Sequence, residues 1–248
     1  MSENEIVPKS IESRDLAENN KSDVAAIAAR SILGACPVVG SIMSELVTCV
    51  IPDQKIDRLI KFIAKLEERL NLVEKEEILR KVKNPECSDL IEESLHQAAR
   101  ALSDERTEYI ASIVIDGLSA SEISFNESKH LLRMLSEIND IEIIWLRFYA
   151  WPTLMGDEEF RDKHKEILEE KIAFIGAAQG DCDKAALQES YKEHLVRLGA
   201  LEKIYKTDSK FKLPEFNTYS GAPEISRYEI TLLGKLLLRK IGLIDESF

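Results

Sequence analysis

The sequence predicts a mainly helical protein with a small β-hairpin near its C-terminus. Only 6% of the 248 residues are aromatic, and Leu, Ile, Ala, Glu and Lys are frequent, which is typical of helices rather than sheets. With 44% apolar and 31% charged residues, the chain can build a core and suits a soluble protein. Its length leaves room for one large domain or two small ones.

Three segments with different patterns predict the domain organisation. Residues 1–22 are polar and lack periodicity, which is typical of a disordered tail. An N-terminal helical bundle is expected over 23–138, beginning with an apolar helical hairpin over 24–51. A separate C-terminal module is expected over 139–248.

The clearest amphipathic helix is predicted over 53–83, where Asn84-Pro85 should end it. Its apolar residues recur at three- and four-residue steps and nearly form a heptad seam, with charged residues on the opposite face. We expect these side chains to be buried, either inside the chain or against a second copy, so they are candidates for an oligomer seam. They are Ile56, Leu59, Ile63, Leu66 and Leu70.

Short polar residues that favour N-caps predict where further helices begin. They are Ser88 or Asp89, Ser103, Asn126, Asn139 and Asp157. A stop is expected at Trp151-Pro152, and the segment 176–180 is expected to be a hinge-like gap before the last helices.

The C-terminal quarter carries an ordered set of elements. A helical pattern ends at Gly199, a residue suited to a left-handed C-cap, and the short apolar segment 200–204 follows. After a polar stretch rich in Pro and Gly, residues 227–231 lead into a last helix over 232–241, which Thr231 can cap. Helix, strand, hairpin, strand and capped helix is the chain order of a winged helix.

Two stretches, 194–201 and 228–237, resemble winged helix-turn-helix regulators of the multiple-antibiotic-resistance and phenolic-acid types. In those families a helix ends in a Leu-Gly-Leu step, a wing follows, and a Thr-x-x-Gly-basic motif begins the next helix. Here the matching residues are His194-Leu195-Val196-Arg197-Leu198-Gly199-Ala200-Leu201 and Thr231-Leu232-Leu233-Gly234-Lys235. The resemblance implies a wing over 205–225 and a module that binds nucleic acid or protein.

The candidates for contact with DNA or with a partner lie on the helix before the wing and on the wing itself. A recognition helix presents exposed residues near its N-terminus to bases or phosphates. Acids interleave with the bases here, no paired arginines offer guanine readout, and the net charge is −12. Protein contact is therefore favoured and weak DNA binding stays open. The candidates are Lys184, Gln188, Lys192, Lys206, Lys210 and Lys212.

No catalytic motif occurs in the sequence. It contains no glycine-rich phosphate loop, no His-Glu-x-x-His and no nucleophile elbow. The pairs Glu93/His96 and Glu127/His130 match the spacing used in di-iron bundles, but glutamate is abundant enough for chance pairs. We therefore predict no enzymatic activity, no metal, no cofactor and no small-molecule substrate.

The cysteines and the N-terminus predict a cytoplasmic protein. The thiols lie far apart without metal-site spacing, as expected of reduced cysteines, and the polar acidic start does not match a secretory signal. They are Cys36, Cys49, Cys87 and Cys182.

The apolar hairpin over 24–51 leaves one alternative open, a membrane-acting effector that inserts into a bilayer when it is triggered. Each arm is too short to span a bilayer alone, and Arg30 and Glu45 make the whole too charged to span as one. Small residues would let the two arms pack closely, so a core hairpin is favoured.

The central segments 95–119 and 131–150, which read LHQAARALSDERTEYIASIVIDGLS and LLRMLSEINDIEIIWLRFYA, are similar to bacterial proteins of the abortive-infection alpha type. Those proteins have a helical body followed by a winged-helix-like end. The resemblance implies a role in phage defence or dormancy. The overall expectation is a non-enzymatic regulatory or interaction protein.

Overall fold

The computed structural model describes residues 52–70, 80–81, 84–119, 122–151, 157–172, 174, 176–208, 213–218 and 221–245. Over these ranges the chain is mainly helical and has a two-stranded antiparallel sheet near its C-terminus, so the predicted fold class is confirmed at this level. The chain divides into two compact units, unit 1 (Met1–Arg133) and unit 2 (Met134–Phe248). The predicted tail and apolar hairpin lie outside the described residues.

Three described helices of unit 1 pack on one another: α1 (Pro52–Arg69), α2 (Pro85–Arg100) and α3 (Asp104–Ser119). Their apolar faces supply its core, and a fourth helix, α4 (Glu122–Glu137), follows. The predicted seam residues Leu59, Ile63, Leu66 and Leu70 are all buried within a single copy. A second copy is not needed to cover them, because α2 and α3 already do. The side chain of Ile56 lies outside the described residues.

The start of α2 differs from the prediction. The side-chain oxygen of Asn84 accepts from the backbone N–H of Glu86 at 2.8 Å, so Asn84 is the N-cap in place of Ser88 or Asp89. Pro85 occupies the first helical position, where the missing N–H would have had no partner within the helix. The Asn-Pro pair, which the sequence predicts as the end of one helix, begins the next.

Two further boundaries differ. Helix α1 ends at Arg69, well before the predicted 83, although 80–81 are helical. Helix α4 begins at Glu122 and therefore includes Asn126 inside its length. Asn126 is exposed there, where the helix tolerates a weak helix former at a cost of about 0.7 kcal/mol or less.

Unit 2 is built around α5 (Asp140–Ala150), which packs on the long helix α8 (Gln179–Arg197), on strand β2 (Ile225–Ile230) and on the last helix α9 (Leu232–Lys240). Two short helices connect α5 to α8, namely α6 (Glu158–Lys163) and α7 (Lys165–Leu168). Strand β1 (Leu201–Tyr205) packs on α8. Helix α8 begins inside the segment that was expected to be a hinge.

The predicted pairing of the two strands is confirmed. Leu201 lies opposite Ile230, and the antiparallel register continues to Tyr205 opposite Ile225, with an irregularity beside Ile204. Gly199 has a φ of +74°, as expected of a left-handed C-cap after α8.

Two predicted N-caps in unit 2 are also confirmed. Asn139 and Glu142 form a reciprocal capping box, with their side chains each accepting from the other's backbone N–H at 2.9 and 2.8 Å. The Thr231 hydroxyl accepts from the N–H of Gly234 at 3.0 Å and donates to the carbonyl of Gly199 at 2.6 Å. Thr231 therefore caps α9 and ties it to the end of α8.

A buried carboxylate holds the start of α6. Asp157 contacts two guanidinium groups, Arg147 at 3.0 Å and Arg161 at 3.3 Å, and its side chain is almost completely buried. Because this carboxylate is engaged by arginines, it makes no capping bond to α6. The Arg147 side chain also donates to the carbonyl of Leu243, so one arginine links α5, the start of α6 and the segment that follows α9.

Across the described ranges, no helix combines the length and the apolarity that a bilayer crossing requires. The alternative of a membrane-acting effector depends on 24–51, which lie outside those ranges, so it stays a prediction. Within the same ranges, Cys87 is buried and Cys182 half-buried, and no disulfide joins the two.

Candidate functional site

A cleft of about 370 Å³ lies in unit 2 between α5, α8 and β2. Helix α5 contributes Tyr149, α8 contributes Glu189 and Lys192, and β2 contributes Tyr228. Glu170, which follows α7, completes one side of the cleft. Aromatic rings, two carboxylates, one ammonium group and the guanidinium group of Arg227 therefore meet in a single open cavity.

Lys192 is held by its own unit. Its ammonium nitrogen lies 5.4 Å from the centre of the Trp145 ring and 5.6 Å from that of Tyr228. The carboxylates of Glu170 and Glu189 lie 3.5 and 3.8 Å from the same nitrogen, and the side chain is only 12% exposed. Both aromatic faces and both carboxylates attract the positive charge, so it is retained inside the molecule.

Both tyrosines of the cleft interact with the carboxylate of Glu189. The hydroxyl of Tyr228 donates to Glu189 at 2.7 Å and to Glu193 at 3.3 Å. Burial, together with the negative charges of Glu170 and Glu189, raises the pKa of Tyr149, and burial with the hydrogen bond to Glu189 raises the pKa of Tyr228. Both phenols therefore stay neutral at physiological pH and offer ring faces and hydroxyl groups.

Gln188 was expected to be exposed at the front of a recognition helix, but it is 8% exposed. Its side-chain oxygen accepts from the N–H of Lys171 at 3.0 Å, while its side-chain nitrogen donates to the carbonyls of Ile167 and Glu169. The end of a helix leaves carbonyl groups without partners, and this amide satisfies two of them. Gln188 therefore joins α8 to the end of α7 and offers no contact to a partner.

The other predicted contact residues lie at separate places. Lys184 is exposed on α8, whereas Lys206 lies just beyond β1 and donates to Glu224 at 2.8 Å. That hydrogen bond and the charge of Glu224 raise the pKa of Lys206. Lys210 and Lys212 lie outside the described residues. The structure therefore places Lys192 and Lys206 in two distinct clusters, each compensated by carboxylates.

The connection between β1 and β2 has a defined base. The N–H of Lys206 donates to the carbonyl of Glu224, the N–H of Glu224 donates to that of Glu215, and the N–H of Glu215 donates back to that of Lys206, all within 2.8–2.9 Å. This closed triangle of backbone bonds is the connection junction. Two isolated bridges extend from it, one between Thr207 and Pro214 and one between Phe216 and Pro223.

The same connection exposes large apolar side chains. Leu213 is 61% exposed and Phe216 59% exposed, and Tyr205 at the end of β1 is exposed as well. Among the described residues of the connection, Asp208, Glu215 and Glu224 outnumber Lys206. Exposed apolar residues are frequent in protein interfaces, whereas this excess of acids disfavours binding to the phosphates of nucleic acid.

Sequence reasoning missed the partners of Lys192. The sequence does indicate one of these partners, because Glu189 and Lys192 are three positions apart and so lie on the same helix face. The acids of α8 count against DNA binding in the sequence, but Glu189 and Glu193 pair with Lys192 and Lys203 of their own unit. Trp145, Glu170 and Tyr228 lie far away in the sequence, where no local pattern connects them to Lys192.

The described residues contain no group of three His, Cys, Asp or Glu side chains arranged to hold a metal ion. No protein-family model, no curated protein and no solved structure matches this chain.

Proposed function

We propose that the protein is a non-enzymatic regulatory or interaction protein whose C-terminal region acts as a winged helix and contacts a protein partner. The order α8, β1, β2, α9 supports this proposal, as do the antiparallel register and the Thr231 cap. In this proposal α8 is the helix before the wing, and the connection between β1 and β2 is the wing.

The contacts that Lys192 makes within unit 2 are the observation that favours a protein partner over DNA. To reach a phosphate, Lys192 would have to leave two aromatic faces and two carboxylates. Lys206 would have to leave Glu224 in the same way. DNA affinity derives largely from lysines and arginines that neutralise phosphates, and these two are already neutralised. The net charge of −12 further opposes the approach of a polyanion.

The apolar side chains of the connection supply the contact surface in this proposal. Leu213 and Phe216 project from a connection whose base is closed by three backbone hydrogen bonds. An exposed aromatic on an ordered base costs little conformational entropy on binding, which is why aromatic residues are frequent anchors of interfaces.

Site-specific photo-crosslinking in living cells tests this proposal. A photoreactive phenylalanine analogue at Phe216 should give a discrete crosslinked protein. The same analogue at Leu102, an apolar residue of unit 1 that is 85% exposed, is the matched control and should not give that product. Crosslinks to nucleic acid alone, or identical products from both positions, would contradict the proposal.

We further propose that this contact takes place in the cytoplasm and serves antiviral defence. The lack of a disulfide between Cys87 and Cys182 supports a reducing compartment, and the resemblance to abortive-infection proteins supports the role. Cells that express the protein should resist phage, and Phe216→Asp should abolish resistance while Leu102→Asp leaves it unchanged. Equal phage growth with and without the wild-type protein would contradict the defence role.

A further inference from the structure

We propose that the cleft of unit 2 binds a lysine or arginine side chain of the protein partner, in competition with Lys192. This inference rests on the proposed function and adds the chemistry of the partner. The groups of the cleft that would contact this side chain are the carboxylates of Glu170 and Glu189 and the rings of Tyr149 and Tyr228. These groups recognise a cation by ion pairing and by the negative faces of the rings.

The carboxylates of Glu170 and Glu189 can accept hydrogen bonds from a second cation besides Lys192. Glu170 and Glu189 share one ammonium group at 3.5 and 3.8 Å, which is the long end of the range for an ion pair. A carboxylate offers about four acceptor positions, so Lys192, with the Tyr228 hydroxyl as a second donor to Glu189, leaves positions open on both. The side chains of Glu170 and Glu189 are 63% and 51% exposed, so an incoming group can reach them.

The charges around the cleft leave a negative excess. Glu193 is paired with Lys203, and Arg227 is paired with Glu229. The carboxylates of Glu170 and Glu189 then face the single charge of Lys192, which leaves one negative charge uncompensated. A monovalent cation would neutralise it, whereas an anion would be repelled.

Lys192 already illustrates the group that the cleft accepts. Its ammonium lies over the Tyr228 ring and beside both carboxylates of the cleft, which is the environment that a cationic side chain of a partner would need. An internal occupant reduces the apparent affinity for an external one, because the binding-competent state is only a fraction of the population. Removal of the internal cation should therefore strengthen binding of the external cation.

The test titrates the full chain with the peptide acetyl-Gly-Arg-Gly-amide and with the same peptide carrying uncharged citrulline, and follows the NMR signals of the tyrosine rings. The arginine peptide should bind and the citrulline peptide should not. Glu170→Gln and Glu189→Gln should each weaken binding by about tenfold, because a charge-assisted hydrogen bond is lost. Glu166→Gln, an exposed carboxylate on α7 outside the cleft, is the matched control and should change nothing.

The decisive variant is Lys192→Met, which keeps the chain length and removes the charge. It should raise the affinity for the arginine peptide by about tenfold. Weaker or unchanged binding in Lys192→Met, or equal binding of the citrulline peptide, would overturn the proposal. If Lys192→Met fails to fold, Glu170→Gln decides the question by itself. This titration needs no partner, so it can fail while the crosslink from Phe216 succeeds, and the reverse also holds.

Discussion

Gly234 and Ala200 approach so closely that a Cβ atom on Gly234 would lie 2.3 Å from the carbonyl oxygen of Ala200. The N–H of Thr231 donates to that same carbonyl at 3.1 Å. The glycine of the Thr-x-x-Gly motif is therefore needed for packing, because only a residue without a side chain lets α9 pass the start of β1.

Gly234→Ala should destabilise the protein by about 1–3 kcal/mol, because the added methyl group meets backbone that cannot move away cheaply. Urea denaturation followed by circular dichroism measures the change. Gly180→Ala in α8 is the control, since nothing lies within 4 Å of a Cβ there. It should be neutral or slightly stabilising, because alanine favours the helix. Equal effects of the two substitutions would show that the close approach is unimportant.

The buried carboxylate of Asp157 gives a second prediction. Asp157→Asn removes the charge that compensates Arg147 and Arg161, and it leaves two guanidinium groups in a largely buried site. We expect a loss of about 3 kcal/mol in the free energy of unfolding. Asp162→Asn, an exposed position on the same helix, should have little effect. A loss below about 1 kcal/mol for Asp157→Asn would contradict the importance of this ion-pair cluster.

The tyrosines of the cleft predict how stability falls at high pH. Burial and neighbouring carboxylates raise the pKa of Tyr149 and Tyr228 above the ordinary value of 10.0. The folded state then holds protons that the unfolded state has released, so this contribution to stability is complete below pH 10 and is lost as pH rises above it. Tyr228→Phe should make the loss of stability above pH 10 shallower, as measured by urea denaturation at a series of pH values. An unchanged slope in Tyr228→Phe would contradict this linkage.

The caps could be predicted from the sequence because each acts over three or four residues. Asn139 and Glu142, Gly199, and Thr231 with Gly234 each satisfy backbone groups within a single turn. Such signals depend on neighbouring residues and survive any tertiary arrangement. The order of β1, β2 and α9 could be predicted from these caps.

The state of the predicted contact residues could not be obtained in the same way. Gln188 looks exposed by pattern, but it is buried because α7 ends against α8. Lys192 looks free by pattern, but Trp145 and Tyr228 come from other elements that only the fold brings to it. Long-range packing decides which polar side chains find partners inside the fold. Local periodicity carries no information about that packing.

Lys192 and Lys206 are each engaged by carboxylates of their own unit, so we predict that neither is reserved for phosphate. The most direct measurement is a fluorescence-anisotropy titration of duplex DNA with wild type and Lys192→Met over a range of salt concentrations. Each phosphate neutralised adds about 0.9 to the slope of log affinity against log salt. We predict weak binding whose affinity and slope are the same in both proteins. A loss of affinity in Lys192→Met, with a slope shallower by about 0.9, would show that Lys192 contacts phosphate and would contradict the claim.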